Sequence, residues 1–212
     1  MVVGIDFSIK STAVTLIDND GAYHFYTFAR KSVAKEDFFI TLKNAGVNVI
    51  ALDDEPPLLK TANLTDRERS SIKDALMQTQ AIVKMLSAWS FTENDSIAIE
   101  GFSFGSTGNR LAQISGYQWL LRSLIIQQCG ISPDRLWFFS PMTIKATAGK
   151  GNFKKEQMIE AFINAKVDHL FHTEFASNPL YFQNKKGAWL KPCDDLCDSY
   201  WIVKTMQKTL LT

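Results

Sequence analysis

"MVVGIDFSIKSTAVTLIDNDGAYHFYTFAR", residues 1–30, decides the fold. It contains three runs rich in β-branched and aromatic residues: "MVVGIDFSIK", "TAVTLID" and "AYHFYTFAR". A few residues separate the first two runs, and "NDG" at 19–21 is a turn signal ahead of the third. Three consecutive strands with short connections make an antiparallel meander.

Further along, the hydrophobic period changes. "KEDFFITLKNAG" (35–46) reads as a short helix ending at Gly46, "VNVIAL" (47–52) as a short strand and "DDEPPLLKTAN" as a loop, so 31–64 is expected as an insertion. Thr65 and Glu68 match the S/T-x-x-E capping box. Ile72, Ala75, Leu76, Thr79, Ile82, Val83 and Leu86 then recur at helical spacing, which predicts a helix over 66–88. "SIAIEGF" is an apolar strand carrying one acid, and "FGSTGN" is a glycine-rich loop that lacks the GK[ST] of a P-loop. A helix over 110–128 and the strand "RLWFFSP" follow. "KATAGKGNFKKEQ" reads as a basic loop entering a helix near 153–165, and 166–190 reads as irregular. The last helix begins near Pro192, a good first-turn residue, and runs to about Leu210 on Leu196, Tyr200, Val203 and Met206. This order predicts an α/β fold: a meander, then strands added by helical crossovers, in one domain spanning 1–212.

Composition narrows the class. At 212 residues, with 46% hydrophobic and 21% charged residues, the chain can build one sizeable core. No run is long enough to span a bilayer, and the first ten residues read as a strand rather than a signal peptide. Three cysteines are too few for a disulfide framework, so a reducing, intracellular setting is expected. A net charge of +1 gives no whole-chain argument for nucleic acid; only a local patch can.

The acids carry the chemistry. Asp6 lies among Val2, Val3, Ile5 and Phe7, and Glu100 ends the run "IAIE". A carboxylate in an apolar strand is costly unless partnered. "KPCDDLCDSYWIV" (191–203) adds Asp194, Asp195 and Asp198 where an apolar helix begins. Like charges at ~4–5 Å repel by ~1 kcal/mol in water, and by several times more near a protein surface. Two offsets are open: the dipole of the helix N-terminus, at ~0.3–1 kcal/mol per acid, or a divalent cation. Asp195 and Asp198, three apart, share one helical face; Asp194 and Asp198, four apart, can share it too, with Asp194 the simpler first-turn acid. Asp6, Glu100, Asp195 and Asp198 around one point would suit Mg²⁺ or Mn²⁺.

Lys145, Lys150, Lys154 and Lys155 cluster around Gly149 and Gly151. Such a loop presents ammonium and backbone N–H groups to phosphates, or is simply a solvated helix entry. Cys193, Cys197, His169 and His172 do not follow a standard zinc-finger spacing.

"GIDFSIKSTAVTLID", "IAIEGFSFGSTGN", "SPMTIKATAGKGNFKKEQ" and "DDLCDSYWIVK" come in the order of the RuvC-type Holliday-junction resolvases, which the chain resembles over most of its length. The resemblance implies an RNase H-like mixed sheet and a catalytic tetrad of Asp6, Glu100, Asp195 and Asp198. It implies that these hold Mg²⁺, with Mn²⁺ as a substitute, two ions per site. It implies basic residues near the metals, which points to Lys145 and to Lys154 or Lys155; Lys150, Lys154, Lys155 and Arg110 are the expected DNA contacts. In the family an aromatic after the second acid helps open the junction; here Phe102 and Phe104 flank that place. The implied activity is hydrolysis of branched DNA, four-way junctions above all, leaving 5′-phosphate and 3′-hydroxyl ends. The implied assembly is a homodimer, and the helix over 110–128 mixes Leu111, Ile114, Trp119, Leu120, Leu124 and Ile125 with the small Gly116. The segments 31–64 and 166–190 are longer than the family pattern. The alternatives are an RNase H-like nuclease for hybrids or flaps, a non-catalytic DNA-binding module, and an actin-like or sugar-kinase-like phosphate binder. The last needs two such domains, and this chain holds one.

Overall fold

A computed structural model describes residues 1–9, 11–101 and 109–211, with the backbone alone at 109 and 110. The meander forms as expected. β1 (Val2–Asp6), β2 (Ala13–Ile17) and β3 (Tyr23–Arg30) pair antiparallel, with Val2 opposite Ile17 and Ala13 opposite Thr27. β5 (Ser96–Glu100) lies parallel to β1, and β6 (Leu136–Phe139) lies parallel to β5. Residues 31–64 carry α1 (Asp37–Asn44) and β4 (Asn48–Leu52), which extends the same sheet by pairing parallel to β3. The sheet order is β4-β3-β2-β1-β5-β6.

Alternation along the strands divides the helices between two faces. Val3, Ile5, Val14, Leu16, Ile97 and Ile99 point to one face, where α2 (Leu64–Ser87) and α3 (Asn109–Cys129) cover them. The opposite face of the central strands carries small side chains, Gly4, Ala13 and Ala98. There α7 (Cys193–Leu210) lies close against the sheet. It is joined on that side by α4 (Pro141–Ala148), α5 (Lys155–Asn164) and α6 (Leu170–Ser177).

Several local readings change. The capping box of α2 is Asn63 with Asp66, not Thr65 with Glu68: the Asn63 side chain accepts from the Asp66 N–H at 3.0 Å, and the Asp66 carboxylate accepts from the Asn63 N–H at 3.3 Å. Ile72 and Leu76 are exposed, because α2 packs its C-terminal half, Ile82, Val83 and Leu86, onto the sheet. Lys145 lies on a helix rather than in a loop. Ser140 caps α4 by accepting from the Thr143 N–H at 3.2 Å, Pro141 opens its first turn, and Gly149 closes it. The segment 166–190, expected as irregular, contains the short helix α6 and a 3₁₀ turn (Pro179–Phe182), with irregular chain on either side. It holds Phe171, Phe175 and Phe182, fully buried in one cluster with Phe162, and Trp189 lies tilted against Phe175 at 4.7 Å between ring centroids. Each such ring adds about 1.5–3 kcal/mol by leaving water. The aromatic plug anchors the chain just before it reaches Lys191.

Candidate active site

Asp6 follows Gly4 by two residues and Glu100 follows Ala98 by two, so both carboxyls project to the small-residue face, toward α7. Ile5 is paired with Ile99, which sets Asp6 and Glu100 side by side at the C-terminal ends of parallel strands. The two carboxyls are neighbours, and each bears electrostatically on the other's charge. α7 contributes Asp195 and Asp198 from its first turns; both act electrostatically on Asp6, as does Glu100. Glu100 and Asp198 line one small cavity of about 40 Å³ together with Lys145, Ile144, Met158 and Ile202. The structure therefore brings together Asp6, Glu100, Asp195, Asp198 and Lys145.

Burial and mutual repulsion govern the protons of this cluster. Burial, then Asp198, Asp195 and Glu100, push Asp6 well above the usual carboxylate range. Burial also raises Glu100, against the opposing effects of the Asp6 carboxyl and the nearby Lys145 charge. Burial, with Glu100 and Asp195, raises Asp198 to about 7. Like charges gathered out of water cannot all ionise unaided.

Two side chains that the sequence reading passed over attend Asp195. The turn between β1 and β2 is held by Ser8, whose Oγ donates to the Ser11 carbonyl at 2.8 Å, and by Thr12, whose Oγ1 donates to the Ser8 carbonyl at 2.9 Å. This turn delivers the Ser11 hydroxyl to Asp195 Oδ2. Lys191 donates to Asp195 Oδ1 and lies 3.0 Å from Asp194 Oδ2. Lysine three and four residues ahead of a pair of aspartates was the available signal, since those separations meet on a helix.

Asp194 is more than a first-turn acid. It is buried, its Oδ2 is paired with both Lys155 and Lys191, and its Oδ1 has no hydrogen-bond partner. Lys155 is thus tied to an aspartate. Lys150 and Lys154 are exposed, and neither they nor Lys145 form an ion pair among the described residues. Arg110 lies in the first turn of α3; Phe102 and Phe104 lie outside the described residues. Cys193 and Cys197 are buried in the core, His172 bonds the Phe162 carbonyl at 2.9 Å, and His169 Nδ1 accepts from the Phe171 N–H.

Among the described residues, no three His, Cys, Asp or Glu side chains form a ready-made metal-ligating group. The donor set fits a hard divalent cation in its chemistry: all oxygen, with excess negative charge gathered where water is largely excluded.

A mixed sheet with an antiparallel β3-β2-β1 meander, parallel β5 and β6, and acids at the ends of β1 and β5 opposite a closing helix defines an RNase H-like fold. Comparison with solved structures finds this fold in Holliday-junction resolvases. Thermus thermophilus RuvC superposes with a TM-score of 0.53 at 14% identity, over 99% of this chain and 95% of that one. T. thermophilus RuvC in complex with a Holliday junction substrate gives 0.52 at 12% identity, over 99% and 94%. The yeast mitochondrial Holliday junction resolvase Ydc2 gives 0.50 at 16%, over 96% and 76%. No protein-family model and no curated protein matches the sequence. The likeness is one of fold, over nearly the whole chain. No helix among the described residues is long and apolar enough to cross a membrane.

Proposed function

We propose that this chain is a metal-dependent endonuclease that cuts branched DNA, four-way junctions first among them, by hydrolysing a backbone phosphodiester. The observation that carries the reading is the gathering of the buried Asp6 with the half-buried Glu100 and Asp198 as mutually repelling carboxyls, Asp6 and Glu100 on adjacent strand ends and Glu100 and Asp198 on one small cavity. It stands on a fold shared with a protein whose structure holds a Holliday junction. Asp6, Glu100, Asp195 and Asp198 would hold Mg²⁺ or Mn²⁺, two ions per site. A bound divalent cation supplies Lewis acidity, lowering the pKa of the attacking water and neutralising charge on the phosphate.

The protein's own groups do the rest. Ser11 fixes one Asp195 oxygen. Lys145, beside Glu100 and Asp198, faces the place where a phosphate would approach. Lys150, Lys154 and Arg110 would track the DNA backbone, with Lys155 held at the rim by Asp194 and Phe102 or Phe104 entering the junction. Two symmetric cuts call for two sites, and a homodimer supplies them. The exposed groove of about 870 Å³ between α2 and α3, lined by Leu64, Ile72, Leu76, Gly116, Tyr117 and Leu120, is the face we assign to the second copy.

Incubating the protein with labelled four-way junction, linear duplex and RNA–DNA hybrid, with and without Mg²⁺, tests the reading. Mg²⁺-dependent cutting of the junction supports it. Cutting of the hybrid alone moves the assignment to a related nuclease, and no Mg²⁺-dependent cutting of any substrate ends it.

A further inference from the structure

We infer that Lys191 is a built-in competitor for the metal: its ammonium holds the cation position on Asp195, and metal entry displaces it onto Asp194. This rests on the metal reading above, and concerns how the site is loaded.

Asp195 is buried, and both of its oxygens are engaged. Oδ2 accepts from Ser11 and Oδ1 from Lys191. A divalent ion cannot ligate Asp195 Oδ1 while the ammonium remains on it, because two cations at contact distance repel strongly. The Lys191 side chain is 56% exposed, so its pair with Asp195 is weakly held and the ammonium can leave at small cost.

The neighbouring aspartate gives the displaced lysine a place to go. Lys191 Nζ already lies 3.0 Å from Asp194 Oδ2, and Asp194 Oδ1 is a buried acceptor with no partner. Backbone geometry keeps the lysine near: the aromatic plug anchors Trp189, Pro192 precedes the first residue of α7, and Asp194 and Asp195 follow at three and four residues. Lys155 shares Asp194 from the α5 side. After displacement, Lys155 and Lys191 would stand together on Asp194 at the rim, two ammonium groups beside the phosphate that the metals address. The site would then exchange a lysine for a metal without moving its backbone.

The test is calorimetric titration of Mg²⁺ and of Mn²⁺ into DNA-free protein for wild type, Lys191→Met, Lys191→Arg and Lys155→Met. Melting with and without Mn²⁺ is a second readout and reports folding of each variant. Lys191→Met should bind metal roughly fivefold tighter or more, the weight of one half-exposed ion pair removed from the competing state. Lys191→Arg should stay near wild type, since it restores the competing cation. Lys155→Met should change less than Lys191→Met, because Lys155 pairs with Asp194 and not with Asp195. Binding by Lys191→Met where wild type is silent supports the inference equally. Metal binding by wild type with unchanged or weaker binding by Lys191→Met overturns it and leaves the metal reading standing. Equal tightening by both Met variants overturns it in favour of a general charge effect. No binding by any variant overturns it together with the metal reading.

Discussion

Gly4 of β1 and Ser199 of α7 meet backbone to backbone: a Cβ on Gly4 would stand 2.5 Å from the Ser199 carbonyl oxygen and 2.7 Å from Val203 Cγ2. Beside this contact, Thr15 Oγ1 and Ser199 Oγ are hydrogen-bonded at 2.7 Å. The missing side chain lets α7 lie close to the sheet, and that closeness brings Asp195 and Asp198 within reach of Asp6 and Glu100.

Gly4→Ala should therefore cost stability and activity together. Over-packing a tight contact costs typically ~1–3 kcal/mol, and the nearest neighbours include backbone atoms that cannot rotate away. Chemical denaturation measures the first effect and junction cutting the second. A Gly4→Ala variant with wild-type stability would show that α7 yields here at no cost.

Replacing the clustered acids should separate catalysis from folding. Asp6→Asn, Glu100→Gln and Asp198→Asn keep shape and remove charge. Cutting should fall by roughly a hundredfold or more as the activating cation is lost. Melting temperature in chelator should hold or rise, because repulsion is relieved. Asp194→Asn should do the reverse, keeping more of the cutting while melting lower, by about 1 kcal/mol for two half-exposed lysines that lose their partner. Near-normal cutting by Asp198→Asn or Glu100→Gln would end the nuclease reading.

Metal-free protein should lose stability as pH rises across the acid-to-neutral range. The unfolded chain releases its carboxyl protons at about pH 4, whereas folded Asp6 and Glu100 keep theirs to higher pH and Asp198 to about 7. Between those values the folded state binds more protons, so its stability falls with rising pH until the folded groups have titrated. Melting temperatures in chelator from pH 5 to 8 should fall more steeply for wild type than for Asp198→Asn. Mg²⁺ should make the wild-type decline shallower. Equal slopes for the two proteins in chelator would remove Asp198 from the cause.

Salt dependence should rank the lysines. Lys150→Ala and Lys154→Ala should each flatten the log-affinity against log-salt slope for junction DNA by roughly one unit. Lys155→Ala should flatten it by less, because Asp194 already neutralises that ammonium. Slopes unchanged in the Lys150→Ala and Lys154→Ala variants would place these residues on a bystander surface.

The sequence by itself determined the meander, the order of the later strands and helices, and the four acids, because these rest on local periods. Alternation in "VVGID" and "SIAIE" also placed Asp6 and Glu100 on the faces that carry Gly4 and Ala98. α4 was legible too: Ser140, Pro141 and Gly149 are its start and stop signals, although the lysines around them invited a loop reading. Only the tertiary structure decided the rest. The register of Ile5 against Ile99 makes neighbours of residues 94 positions apart in the chain. The packing of α7 onto Gly4, the Ser11 hydroxyl on Asp195 and the two lysines on Asp194 likewise join distant segments. Such contacts depend on how whole elements dock, through apolar burial that has no direction of its own, and no local period in the chain encodes them.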